Sequence, residues 1–175
     1  LQNKIKPFVL RRLKKQVLTE LPEKTEIATY CEMTDEQKEI YRDIALSYNQ
    51  RVQETMAVQG EASVQLQMLT ALLRLRQACS DPAALPNVKY DRTPPKLETL
   101  FDSVQEIVES GESALVFTQF LQTLEHTAKI LKEAGIKVFV LHGGVPTKQR
   151  QKILSDFNET NGGAVLVMTL KTGGV

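Results

Sequence analysis

The chain has 175 residues, 42% hydrophobic and 25% charged, with a formal net charge of +1. This is a globular composition, and the length suits one compact domain or one and a half. No apolar run approaches the ~20 residues of a membrane-spanning helix. The two histidines and the well-separated Cys31 and Cys79 argue against a zinc site; the cysteines read as buried free thiols in a reducing compartment.

Charge is unevenly distributed. Lys4, Lys6, Arg11, Arg12, Lys14 and Lys15 all precede the first acid, so the rest of the chain carries 16 basic against 21 acidic side chains. The basic end suits a polyanion or is a solvated helix face. Pro7 is placed to open a helix with Val9, Leu13 and Val17 on one side, ended by Leu21-Pro22. Residues 24–33 alternate polar and apolar and predict an extended strand, with Ile27, Thr29, Cys31 and Met33 on one face.

Thr34-Asp35-Glu36-Gln37 has the capping-box pattern: the Thr34 hydroxyl can accept from the Gln37 amide, and the Gln37 side chain can return a bond. Ile40, Ile44, Tyr48, Val52 and Met56 then recur at four-residue steps up to Gly60. A second helix is predicted over 64–79, with Leu66, Leu69, Leu72, Leu73 and Leu75 forming a broad apolar face. Each helix would reach ~30 Å at 1.5 Å per residue, and the short link makes them an antiparallel hairpin over 34–80. Residues 81–94 hold Pro82, Pro86 and Pro94 without periodicity and read as a linker. Pro95 opens a helix whose Leu97, Leu100, Phe101, Val104 and Val108 face a core, capped by Gly111.

The last third, 114–175, reads strand, helix, strand, helix, strand, glycine-rich turn. The apolar runs are 114–118, 138–141 and 164–168; the helices are 120–134, stopped by Gly135, and 146–157, with Ile153, Leu154 and Phe157 on one face. Apolar runs without polar alternation suggest strands covered on both faces, hence a parallel α/β sheet. Right-handed crossovers bring all three strand ends to one edge, where such sheets bind ligands. That edge would carry Thr118-Gln119, His142-Gly143-Gly144 and Lys171-Thr172-Gly173-Gly174, a set suited to phosphate oxygens.

The chain contains no Gly-x-x-x-x-Gly-Lys-Ser/Thr loop and no Gly-x-Ser-x-Gly elbow, and it offers no complete catalytic set. Glycine lets backbone amides approach a phosphate, and Lys171 adds a point charge, although most Gly-Gly turns are only turns. His142 is structural or phosphate-lining rather than an acid/base, since no carboxylate neighbour is evident. Arg150 falls in the first turn of its helix on the inward side, where it can reach an anion, cap a carbonyl or pair with an acid. Thr118 can cap the following helix, a role compatible with a phosphate contact.

Several stretches together resemble the Swi/Snf family of superfamily-two, helicase-like ATPases. Pro7-Phe8-Val9-Leu10-Arg11-Arg12-Leu13-Lys14-Lys15 followed by Leu21-Pro22-Glu23-Lys24 is similar to the junction after the first motor lobe. Leu73-Arg74-Leu75-Arg76-Gln77-Ala78-Cys79-Ser80-Asp81-Pro82 resembles a helix end of that family, and Lys96-Leu97-Glu98 the opening of its second lobe. Val116-Phe117-Thr118-Gln119-Phe120 is similar to motif IV, Leu141-His142-Gly143-Gly144 with Arg150 to the next motif, and Leu170-Lys171-Thr172-Gly173-Gly174-Val175 to the first half of motif V. Ser80 and Asp81 depart from the family's more usual Asn and His, a change expected to affect packing. The resemblance spans essentially the whole chain, and the ordered set is more specific than any one motif.

The resemblance implies an α/β fold: part of a RecA-like parallel sheet with flanking helices, preceded by the long hairpin. Residues 1–33 would be an interlobe connector with a basic helix and a strand, 34–80 a helical protrusion, 81–94 a linker and 95–175 an incomplete second lobe. The parent would be an ATP-dependent double-stranded-DNA translocase. Thr118, Gln119, Lys171, Thr172, Arg150, Arg11 and Arg12 would contact the DNA backbone, with Arg11 and Arg12 also bracing the lobes. Gly173, Gly174, His142, Gly143 and Gly144 would line the nucleotide cleft. ATP and Mg2+ would be held mainly by a first lobe elsewhere in the polypeptide. As a piece lacking that lobe and the arginines of motif VI, the chain is expected to bind and hydrolyse none alone. The expected location is the bacterial cytoplasm, at the nucleoid, or the nucleus of a eukaryote. Two other readings are a hairpin that serves as a protein-interaction arm, and a Rossmann-type small-molecule enzyme; the missing Gly-x-Gly-x-x-Gly counts against the latter.

Overall fold

The computed structural model describes residues 24–58 and 60–172. The expected basic helix with Arg11 and Arg12, and the turn at Gly173-Gly174, lie outside the described residues. The chain divides into two units between Tyr30 and Cys31. Residues 24–33 form no strand, and Ile27 and Tyr30 are 85% and 93% exposed. Alternation alone does not make a strand: the backbone N–H and C=O groups need a partner edge, and none of the three described strands pairs with this segment.

The second unit begins with helix α1, Asp35–Val58, and helix α2, Glu61–Ser80. Thr34 Oγ1 accepts from Gln37 N at 3.1 Å, the first half of the capping box. The second half does not form. Gln37 Nε2 donates across the hairpin to Ala78 O at 2.7 Å, supplying a partner at the helix end where carbonyls lack one. This bond joins the first turn of α1 to the last of α2, so the helices run antiparallel.

The apolar face of α2 does not lie where its leucines predicted. The buried seam follows Val64, Gln67, Ala71, Arg74 and Ala78, whereas Leu66, Leu69, Leu72 and Leu73 are 65%, 65%, 57% and 42% exposed. Met56, expected inside, is 68% exposed. Two paired helices bury one stripe each, and here the alanine-containing stripe takes the inner position.

A short 3-10 helix, Pro82–Ala84, leads through the linker to helix α3, Pro95–Glu109. Then follow β1, Ala114–Thr118; α4, Leu121–Glu133; β2, Lys137–Leu141; α5, Thr147–Asn158; and β3, Ala164–Thr169. All three strands are parallel in the order β1-β3-β2, with Thr118 beside Thr169 and Leu141 beside Met168. The strand tips therefore share one edge, with that of β3 central.

Each sheet face has its own core. Val104 of α3 and Leu124 and Leu131 of α4 pack with Val116, Val165 and Val167. On the opposite face, Ile153 and Phe157 of α5 pack against Leu141, Leu166 and Met168. Phe157 meets Phe139 edge-on at 5.7 Å. The fully buried Leu124 and Leu131 (0% and 1% exposed) each contribute about 1.5–3 kcal/mol, so they fix the seat of α4. Of the three described strands only β3 is covered on both faces; the expectation drawn from the apolar runs fails for β1, whose Leu115 and Phe117 are 54% and 48% exposed. Leu154, expected on the inner face of α5, is 39% exposed.

Candidate nucleic-acid interface

The tips of β1 and β3 are tied together. Leu170 N donates to Thr118 O at 2.9 Å, one step beyond the sheet. Thr172 N then donates to Thr169 O at 2.9 Å, and the two threonine hydroxyls bond at 2.6 Å, closing a turn that leaves Lys171 exposed. Thr118 is not a helix cap: α4 starts at Leu121, with Phe120 at the cap position. Thr118 Oγ1 instead accepts from Phe120 N at 3.4 Å, a long bond that leaves the hydroxyl proton free to donate. Gln119 is exposed. A hydroxyl, an amide, a cation and a second hydroxyl thus collect where two parallel strands end.

The tip of β2 is built differently. His142 Nδ1 accepts from Gly144 N at 3.1 Å, and Val145 N donates to His142 O at 3.1 Å. A Cβ on Gly144 would lie 3.0 Å from His142 Cε1, so glycine is what lets the ring fold over the turn. Arg150 Nε donates to Val145 O at 2.7 Å and Nη2 donates to Gly143 O at 3.0 Å. Of the three roles open to Arg150, the structure shows carbonyl capping: two of its five N–H donors clamp the loop. His142, Gly143, Gly144 and Arg150 form one braced turn, separate from the β1–β3 pair.

The described residues do not by themselves fit ATP or Mg2+. No group of three His, Cys, Asp or Glu side chains converges on a metal position among them, the Gly144 amide is spent on His142, and Arg150 faces carbonyls. They could form at most one wall of such a site.

Two features escaped the sequence reading. Asp81 is 1% exposed; it accepts from Ala83 N at 3.2 Å and pairs with His126 Nδ1 of α4 at 3.0 Å. The hairpin base is thereby fastened to the sheet domain. The departure at position 81 thus bears on packing, as expected, and its partner lies 45 residues away, beyond any local pattern. Second, Thr118 and Gln119 open into a cleft of about 440 Å³ that Tyr41, Arg76 and Lys96 also line. Lys96 and Arg76 stood within noted motifs, but no periodicity marks them as neighbours of β1.

Residues 1–84 match the SNF2-related domain, and residues 96–173 match the helicase conserved C-terminal domain. The chain is 31% identical, over its whole length, to an uncharacterized ATP-dependent helicase of Mycoplasma pneumoniae, and 27% identical to the DNA excision repair protein CSB of Oryza sativa subsp. japonica. It spans 16% and 15% of the lengths of those two relatives. Its fold superposes on the Sulfolobus solfataricus SWI2/SNF2 ATPase core in complex with double-stranded DNA with a TM-score of 0.74 at 28% identity, covering 96% of this chain and 36% of that one. The motif order, the parallel sheet and these matches converge: the chain belongs to the Swi/Snf family of superfamily-two, helicase-like ATPases.

Proposed function

We propose that the chain is the second motor lobe, with its helical protrusion, of an ATP-dependent double-stranded-DNA translocase. The observation that carries this reading is the joined β1–β3 tip, where Thr118, Gln119, Lys171 and Thr172 stand on one edge. These side chains suit phosphate oxygens, and contacts to phosphate carry no sequence information, so the grip on this reading is on the backbone and independent of sequence. Arg11 and Arg12 brace the lobes and add charge; Gly173 and Gly174 let the loop approach DNA and nucleotide. The braced turn at His142, Gly143 and Gly144 borders the nucleotide cleft, with Arg150 holding its shape. ATP and Mg2+ belong to the first lobe of the parent, whose closure on this one alternates the grip on DNA. Residues 1–33, 34–80, 81–94 and 95–175 serve as connector, protrusion, linker and lobe. The protein works where the chromosome is, at the nucleoid of a bacterium.

Duplex DNA binding by the chain, measured from 25 to roughly 200 mM salt, tests this. Affinity should fall steeply with salt, and both Lys171→Ala and Arg11→Ala/Arg12→Ala should lower the slope, by about one unit per lost phosphate contact. Salt-independent binding, or slopes untouched by these changes, would refute the reading. The exposed Leu66, Leu69, Leu72 and Leu73 favour a second role for the hairpin as a protein-docking arm. Replacing Leu66, Leu69 and Leu73 by serine should leave DNA binding intact if that role is separate.

A further inference from the structure

We infer that the cleft between the hairpin base and the tip of β1 is a second seat for duplex phosphates, held by Arg76 and Lys96. This inference rests on the translocase reading and adds a site to it. Arg76 lies in the last turns of α2, and Lys96 in the first turn of α3; both are exposed and line one cleft with Thr118 and Gln119. Neither makes a hydrogen bond or ion pair among the described residues. No carboxylate among those residues lines this cleft.

The neighbouring larger cleft, about 510 Å³, provides the contrast. It is lined by Asp81, Asp91, Glu125 and Glu133 against Arg92 and Lys129, a balance that repels a polyanion. The two clefts differ in the sign of their charge, and only the cationic one opens onto the β1 tip. Two cations with a hydroxyl and an amide at the same wall match phosphodiester oxygens: Arg offers a forked pair of donors and Lys a point charge. The hairpin is then part of the grip, because the end of α2 supplies Arg76. The latches Gln37–Ala78 and Asp81–His126 hold that end in place.

Cys79, half-buried, lines the same cleft and reports its occupancy. In a Cys31→Ser background, saturating duplex DNA should slow maleimide labelling of Cys79 at least fivefold, and ATP with Mg2+ should not. In salt titrations, Arg76→Ala/Lys96→Ala should lower the slope of log affinity against log salt by about two. Lys152→Ala, an exposed cation on α5, should leave it unchanged. Wild-type binding with the double variant's slope unchanged and Cys79 unprotected would overturn this inference while leaving the translocase reading standing. Protection by ATP with Mg2+ alone would assign the cleft to nucleotide and overturn it. No duplex binding by the wild type at low salt would overturn both.

Discussion

Asp81→Ala should loosen the joint between the hairpin and the sheet domain. Asp81 is 1% exposed and satisfies two groups: Ala83 N at 3.2 Å and His126 Nδ1 at 3.0 Å. Losing the cap at Ala83 costs about 0.5–2 kcal/mol. Leaving the His126 nitrogen without its partner costs about 1–3 kcal/mol, towards the lower end because that side chain is 26% exposed and water can reach it. The sum is about 2–4 kcal/mol. At roughly 2–4 °C per kcal/mol for a chain of this size, thermal unfolding followed by circular dichroism should shift down by about 5–15 °C. Asp81→Asn, which keeps an acceptor for Ala83, should lose less. A double-mutant cycle with His126→Ala should give a coupling of at least ~0.5 kcal/mol. A shift under about 2 °C for Asp81→Ala, or zero coupling, would show that the pair does not hold the joint.

Three further outcomes follow from the geometry. A Cβ at Gly162 would lie 1.7 Å from Gly111 O at a φ of +80°; Gly162→Ala should therefore destabilise well beyond the ~1–2 kcal/mol of a left-handed residue. Gly163→Ala, at φ +69° but in open space, should cost only that, and equal melting shifts would disprove the clash. Arg150→Ala should release the carbonyls of Gly143 and Val145, lowering amide-exchange protection over residues 143–145 about tenfold; unchanged protection would mean the clamp is idle. The chain alone should turn over no ATP, with or without DNA, having no phosphate loop in its sequence; turnover abolished by removing Mg2+ would contradict this.

The sheet domain was legible in the sequence because its signals are local. β1 matches its apolar run, and β2, β3, α4 and α5 fall within a residue or so of their patterns. Strand order was not legible: order β1-β3-β2 depends on which hydrogen-bonding edge each strand finds. The α2 leucines misled for a related reason. Periodicity reveals an apolar stripe but not which stripe a neighbour covers, and the alanine-bearing seam won. Residues 24–33 alternate correctly yet have no partner edge. At the site, Thr118, Gln119, Lys171 and Thr172 followed from the rule that parallel strands deliver their ends to one edge. Arg76, Lys96 and the Asp81–His126 latch arise from contacts between distant segments, which neither spacing nor composition encodes.

Titrating the isotope-labelled chain with two duplexes of unrelated sequence, and following its backbone amides by NMR, tests the grip on DNA most directly. The account predicts the same shifts with both duplexes, concentrated at Thr118, Gln119, Lys171 and Thr172 and fading as salt rises. Shifts that differ between the duplexes, or that leave these four residues unmoved while others respond, would contradict it.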